Sequence, residues 1–217
     1  MNQPQTQSNP KNPQRASRIK LVLIILLFAG PLAVAFLSYY GNLMDFSLRG
    51  QSNHAPLINP AVTLKSFENQ SLSGEVLENE NMGRMWSFFH IVDGQCDDSC
   101  KQALYQTRQT RLAVGKDIKR LKRYIVIMQW DDDSKNPDPE SLVGQIRTNH
   151  PDAMLLKPGQ SGVEVQILEQ LNEQKAGGND AILTDPLGNM MMVVPLELDP
   201  RLLLKDMKKL LKLSNIG

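Results

Sequence analysis

Leu21 to Tyr40 reads LVLIILLFAGPLAVAFLSYY, twenty residues without a charge. A helix rising about 1.5 Å per residue makes this run long enough for the roughly 30 Å hydrocarbon layer of a bilayer, so it predicts a membrane-spanning helix. Pro31 would kink that helix, and Tyr39 and Tyr40 suit the far interface. Lys11, Arg15, Arg18 and Lys20 precede the run and place the N-terminus in the cytoplasm, so the chain from Gly41 onward is exported. A cleaved signal peptide is the rival reading, because Ala33-Val34-Ala35 has the pattern of a cleavage site. The apolar run continues past that site to Tyr40, which favours the span, and both readings export the remainder.

Beyond the span the pattern shortens. Val62 to Gly74 and Glu75 to Asn81 read as short extended segments, and Arg84 to Val92 (RMWSFFHIV) as an aromatic and β-branched strand ended by Asp93-Gly94. After Cys100, apolar positions recur every three or four residues from Ala103 to Leu121, which predicts a helix of about twenty residues bent at Gly115. Tyr124 to Trp130 (YIVIMQW) is a continuous apolar run, as in a strand buried on both faces. A polar loop, Asp131 to Pro139, leads to a short helix over Glu140 to Thr148, a strand over Ala153 to Leu156 and a helix over Val163 to Leu171. Ala181 to Thr184 and Asn189 to Val194 flank the turn Asp185-Pro186-Leu187-Gly188 as a hairpin. Pro200 to Leu213 closes the chain as an amphipathic helix with lysines on its wet side. Strands alternating with helices imply an α/β fold around a largely parallel sheet, and the hairpin adds antiparallel pairing, so the sheet is mixed and flanked by helices.

The 217 residues leave room for one domain besides the span. The organisation is a cytoplasmic tail (1–20), the transmembrane helix (21–40), a tether rich in Gly, Asn, Ser and Pro (41–60) and the folded domain (61–217). The tail's Asn, Gln, Pro and Ser read as disordered. The formal charge of +1 hides an asymmetry: four of the 24 basic residues precede Gly41 and none of the 23 acidic ones do. The exported part is mildly acidic and carries no electrostatic footprint for nucleic acid.

Cys96 and Cys100, the only cysteines, stand where the Arg84 to Val92 strand gives way to a helix. That junction is where α/β folds place their sites, and a helix N-terminus stabilises thiolate. Three intervening residues put both sulfurs within the first helical turn, close enough for a disulfide or for two bonds to one soft metal ion. The alternative is a structural bridge, common in exported proteins, although so short a loop removes little unfolded-state entropy. His90, six positions before Cys96, is a candidate third metal ligand, against the reading of a buried, hydrogen-bonded histidine. His150 precedes Pro151 at a helix end, where a cation helps the dipole, and His54 falls in the tether as a solvated residue. Met190, Met191 and Met192 could supply thioethers to Cu(I), but core packing is the commoner use of methionine.

The succession WSFFHIVDGQCDDSC, helix, YIVIM strand, ILTDPLGN hairpin and leucine- and lysine-rich last helix resembles the membrane-anchored Sco proteins. These are thioredoxin-fold copper chaperones and thiol reductants of cytochrome c oxidase assembly. The resemblance covers roughly Ala61 to Leu213 and implies a thioredoxin-like domain. Cys96 and Cys100 match the family's C-x-x-x-C pair, which with one distant histidine binds copper. Asp97 stands where the family has a proline, and the window of the distant histidine, Ala176 to Asp180, contains none.

The resemblance implies an accessory protein at the inner (cytoplasmic) membrane that uses Cys96 and Cys100 as a thiol-disulfide oxidoreductase, or passes Cu(I), to a copper-binding subunit of a terminal oxidase. The competing reading is a non-catalytic thioredoxin-like scaffold with a structural disulfide. A peroxidase-type thiol enzyme on the same fold is weaker. No Ser-His-Asp arrangement, phosphate loop, zinc spacing or nucleotide fingerprint supports another enzyme class.

Overall fold

The computed structural model describes residues 13–40, 53–128 and 139–214. They fall into two compact units, one within Met1–Ser52 and one within Asn53–Gly217. The first contains helix α1 (Pro13–Tyr40), whose apolar side chains between Ile19 and Leu37 are largely exposed. Among the described residues no helix is long and apolar enough to cross a membrane.

The second unit is built on a six-stranded sheet. Its strands in chain order are β1 (Leu57–Thr63), β4 (Trp86–Val92), β5 (Leu121–Ile127), β6 (Met154–Leu156), β7 (Ala181–Thr184) and β8 (Asn189–Val194), and a separate hairpin joins β2 (Glu68–Gln70) to β3 (Val76–Glu78). Across the sheet the order is β1-β8-β7-β4-β5-β6. β4, β5 and β6 run parallel, whereas β7, β8 and β1 are joined by antiparallel pairing, so the sheet is mixed as expected but not largely parallel: three of its five strand pairs are antiparallel, because β1 returns to pair with β8 and the hairpin strand β7 lies against β4. Among the described residues the second unit's α-helices are α2 (Asp98–Ala113), α3 (Pro139–Asn149), α4 (Val163–Glu173) and α5 (Pro200–Leu213).

Every residue of β4 is buried, because the strand is central and covered on both faces. Phe89 and Ile91 join Tyr124, Val126 and α4's Val163 and Ile167 on one face. On the other, Trp86 and Phe88 pack with α5's Leu203 and Met207, and Val92 packs with α2's Leu104 and α3's Leu142 and Ile146. Alternation along a strand divides these residues between the two sides.

Two boundaries differ from the sequence expectation. The helix after Cys100 does not continue through Gly115 to Leu121: α2 stops at Ala113, Gly115 adopts φ +68, and a 3-10 turn over Gly115–Arg120 leads into β5 at Leu121. A left-handed residue ends a helix, while Ile118 and Leu121 kept the apolar spacing on the far side of that stop. At the other end, the compact unit takes in residues from Asn53, several positions before Ala61. The carboxylate of Asp206 on α5 draws them in, accepting the backbone N–H of His54 (2.7 Å) and Ala55 (2.9 Å) and meeting His54 Nδ1 at 2.8 Å. His54 is therefore bonded to the domain instead of lying in a tether, although its side chain remains 40% exposed. The tail before Pro13, most of the tether, the end of the YIVIMQW run and most of the Asp131 to Pro139 loop lie outside the described residues.

Candidate functional site

The end of β4 feeds the first turn of α2 through Asp93, Gly94 and Gln95, and Gly94 takes φ +77, a conformation that costs glycine little. Asp97 is the N-cap of α2, its side chain accepting the N–H of Cys100 at 2.8 Å. The N-cap position separates the two cysteines. Cys96 lies just before the helix, so only Cys100 is in the first turn, where both had been expected. The two are joined as a disulfide with their Cα atoms 5.1 Å apart. Cys100 is 6% exposed and packs with Val92, Leu104 and Ile127, whereas Cys96 is half-buried at the edge of that cluster. An attacking thiol therefore meets Cys96 first. The sequence reading missed this cap, for which an Asp directly before a helical run is the signal.

His90 is not gathered to this pair. Buried on β4, its Nε2 lies 2.8 Å from Thr107 Oγ1. Thr107 is seven residues beyond Cys100 on α2, about 10 Å along the helix axis. Burial above all, then the charge of Arg123 and the neighbouring His150, holds the His90 pKa well below its ordinary 6.5, so the ring is neutral. The methionines of β8 serve the core: Met190 packs on one face of the sheet and Met192 on the other. The Ala176 to Asp180 window, where the resemblance would place a distant histidine, is closed by Asp180, whose carboxylate accepts the N–H of Gly177 and of Leu196. Among the described residues no group of three His, Cys, Asp or Glu side chains is placed to hold a metal ion.

Beneath the site lies a charged network that the sequence did not disclose. Arg123, on β5 directly before its apolar YIVI run, has a fully buried side chain. It donates to both oxygens of Asp152 (3.2 and 3.3 Å), to Leu104 O (2.7 Å) and to Thr107 Oγ1 (3.2 Å). Arg108 and Arg111 pair with the same carboxylate. Burial lowers the Arg123 pKa to about 10, with Asp152 opposing, and the guanidinium remains charged at neutral pH. His150, just past the end of α3, is buried beside this network, and its Nδ1 has no hydrogen-bond partner. Its pKa is lowered to about 4, first by burial and then by Arg123. It is therefore neutral at physiological pH and cannot be the dipole-stabilising cation expected at that helix end. No alternation or spacing marks Arg123 out, because its partners lie on other elements of the chain.

The profile of the family described as "Transmembrane-like, thioredoxin-like, C-terminal domain" matches residues 86–214. No curated protein matches the sequence. Among solved structures the fold is similar to that of yeast Sco1 with copper bound, at 14% identity and TM-score 0.57, covering 71% of this chain and 95% of that one. Arabidopsis thaliana ScoI with copper bound is similar at 11% identity and TM-score 0.54, covering 69% and 98%. BsSco, described with a disulfide switch and as a member of the Sco family of cytochrome c oxidase assembly proteins, is similar at 12% identity and TM-score 0.52, covering 76% and 99%. At such identities the likeness is one of fold, and it bears out the thioredoxin-like architecture that the resemblance implied.

Proposed function

Because the chain belongs, over residues 86–214, to the transmembrane-like, thioredoxin-like C-terminal domain family, we propose that it is a membrane-anchored accessory protein exchanging thiols and disulfides through Cys96 and Cys100. The observation that carries this reading is the unequal setting of one disulfide at the head of α2, with Cys96 half-buried and Cys100 enclosed. A thiolate attacks the accessible Cys96 sulfur; in the reverse direction Cys96 attacks and Cys100 resolves the mixed disulfide. A purely structural bridge has no need of this asymmetry, which favours exchange over the scaffold reading.

The anchor is Leu21 to Tyr40, with the N-terminus cytoplasmic and the thioredoxin-like domain on the outer side of the inner membrane. The exposed apolar side chains of α1 support it, since water would be a costly surrounding for them. The partner is a copper-binding subunit of a terminal oxidase, a proposal supported by the fold shared with Sco proteins. Copper would be cargo. Reduced Cys96 and Cys100 would offer it two thiolates.

Equilibrating the full chain in detergent with glutathione buffers tests the reading. A midpoint above about −300 mV is expected, whereas structural disulfides lie below that value; a pair that stays oxidised throughout would leave the scaffold. Retention in membranes after an alkaline wash, lost on deleting residues 21–40, is the result expected of the anchor.

A further inference from the structure

Between the first turn of α2 and the end of α3 lies a cavity of about 30 Å³, lined by Cys96, Lys101, Leu104, Leu142, Ile146 and His150 among others. Cys96 and His150 thus line one small pocket with room for no more than a water or two. His150 is 7% exposed and its Nδ1 is buried without a partner. A buried nitrogen left unpaired costs stability and calls for an explanation. Its ring, neutral at physiological pH, has one proton to donate.

We propose that the missing partner of His150 is the Cys96 sulfur in its reduced state, with Nδ1–H donating to the thiolate. The proposal rests on the exchange reading above and adds a residue to it. A partner thiolate attacks Cys96 Sγ, the Cys96–Cys100 bond breaks, and Cys100 leaves with the electron pair and takes a proton from solvent. The partner's second thiol gives its proton to solvent and attacks the partner sulfur of the mixed disulfide, and Cys96 leaves as a thiolate. The partner dithiol is oxidised and this protein's disulfide reduced, two electrons in all. His150 acts at the second displacement, where charge develops on Cys96 Sγ, and its ring neither gains nor loses a proton. A hydrogen bond to a charged sulfur is stronger than one between neutral groups, so this contact favours the reduced state of the pair.

The full chain in detergent, reduced with a phosphine, is alkylated with iodoacetamide between about pH 6 and pH 9, and labelling at Cys96 is followed by peptide mass spectrometry. His150→Leu should slow labelling near neutral pH about tenfold and move the pH profile up by about one unit. His150→Asn, whose amide nitrogen sits near the place of Nδ1, should restore most of the rate. Equal rates and profiles in the wild type and His150→Leu would overturn the proposal. Should the leucine variant fail to fold, the ¹⁵N resonances of the wild-type His150 ring decide: Nδ1 should shift on reduction, and an unmoved Nδ1 overturns it. Forced reduction makes both measurements independent of exchange with any partner, so the glutathione titration can fail while the His150 contact stands, and the reverse.

Discussion

His90 Nε2 and Thr107 Oγ1 lie 2.8 Å apart, which ties the histidine of β4 to the second turn beyond the disulfide rather than to the disulfide itself. The same hydroxyl receives Arg123 Nε, so His90 is one end of a buried network whose other members are Arg123, Asp152 and, beside them, His150.

Acid should weaken the fold through the two buried histidines. Both have folded-state pKa values below 6.5, so the unfolded chain binds protons there that the folded chain refuses. Their contribution is complete above about pH 6.5 and is lost as the pH falls; for His150 the loss runs down to about pH 4. The His150 share is on the order of 3 kcal/mol over that window. Urea melts near pH 7 and pH 5 should show a smaller loss in His150→Phe than in the wild type. Parallel losses would assign the acid sensitivity to other groups.

Asp206 is 1% exposed and fastens the start of the domain to α5 through three hydrogen bonds. Asp206→Ala should cost about 2–4 kcal/mol, because hydrogen bonds to a charged group are lost and two backbone donors are left unpaired. Amide exchange at His54 and Ala55 should accelerate far more than exchange in β4; a uniform acceleration would mean that the carboxylate supports the whole fold rather than this junction.

The two cysteines should react in order. After reduction, timed alkylation should label Cys96 on the order of tenfold faster than Cys100, which is shielded by Val92 and Leu104. Faster labelling of Cys100 would reverse the roles assigned to them.

Asp97→Ala removes the N-cap of α2 and should lower stability by about 1 kcal/mol in thermal or urea unfolding. Asp97→Asn keeps an acceptor for the Cys100 N–H and should retain most of that. A stable alanine variant would show that another group caps the helix.

Local chemistry made much of the domain legible. The hairpin at Asp185 to Gly188, the amphipathic α5 and the buried YIVI run each announce themselves through turn residues or period, and the structure has all three. Where local signals crossed a backbone stop they misled, as when the spacing from Ala103 to Leu121 ran past Gly115 although α2 had ended. Side-chain periodicity records which face is apolar and is blind to a single residue with positive φ.

The sequence by itself determined the alternation of strands and helices, the placing of two cysteines at a strand-to-helix junction and the uncharged run from Leu21 to Tyr40, since each depends on neighbours within a few residues. Only the tertiary structure decided that Cys96 is the accessible sulfur and that His90 belongs to Thr107. It also brought His150, whose Nδ1 is unpaired, into the lining of the Cys96 cavity and set the Asp206 carboxylate at the domain's first residues. Those relationships join positions up to 152 residues apart, and burial and pairing at such range are set by the packing of whole elements.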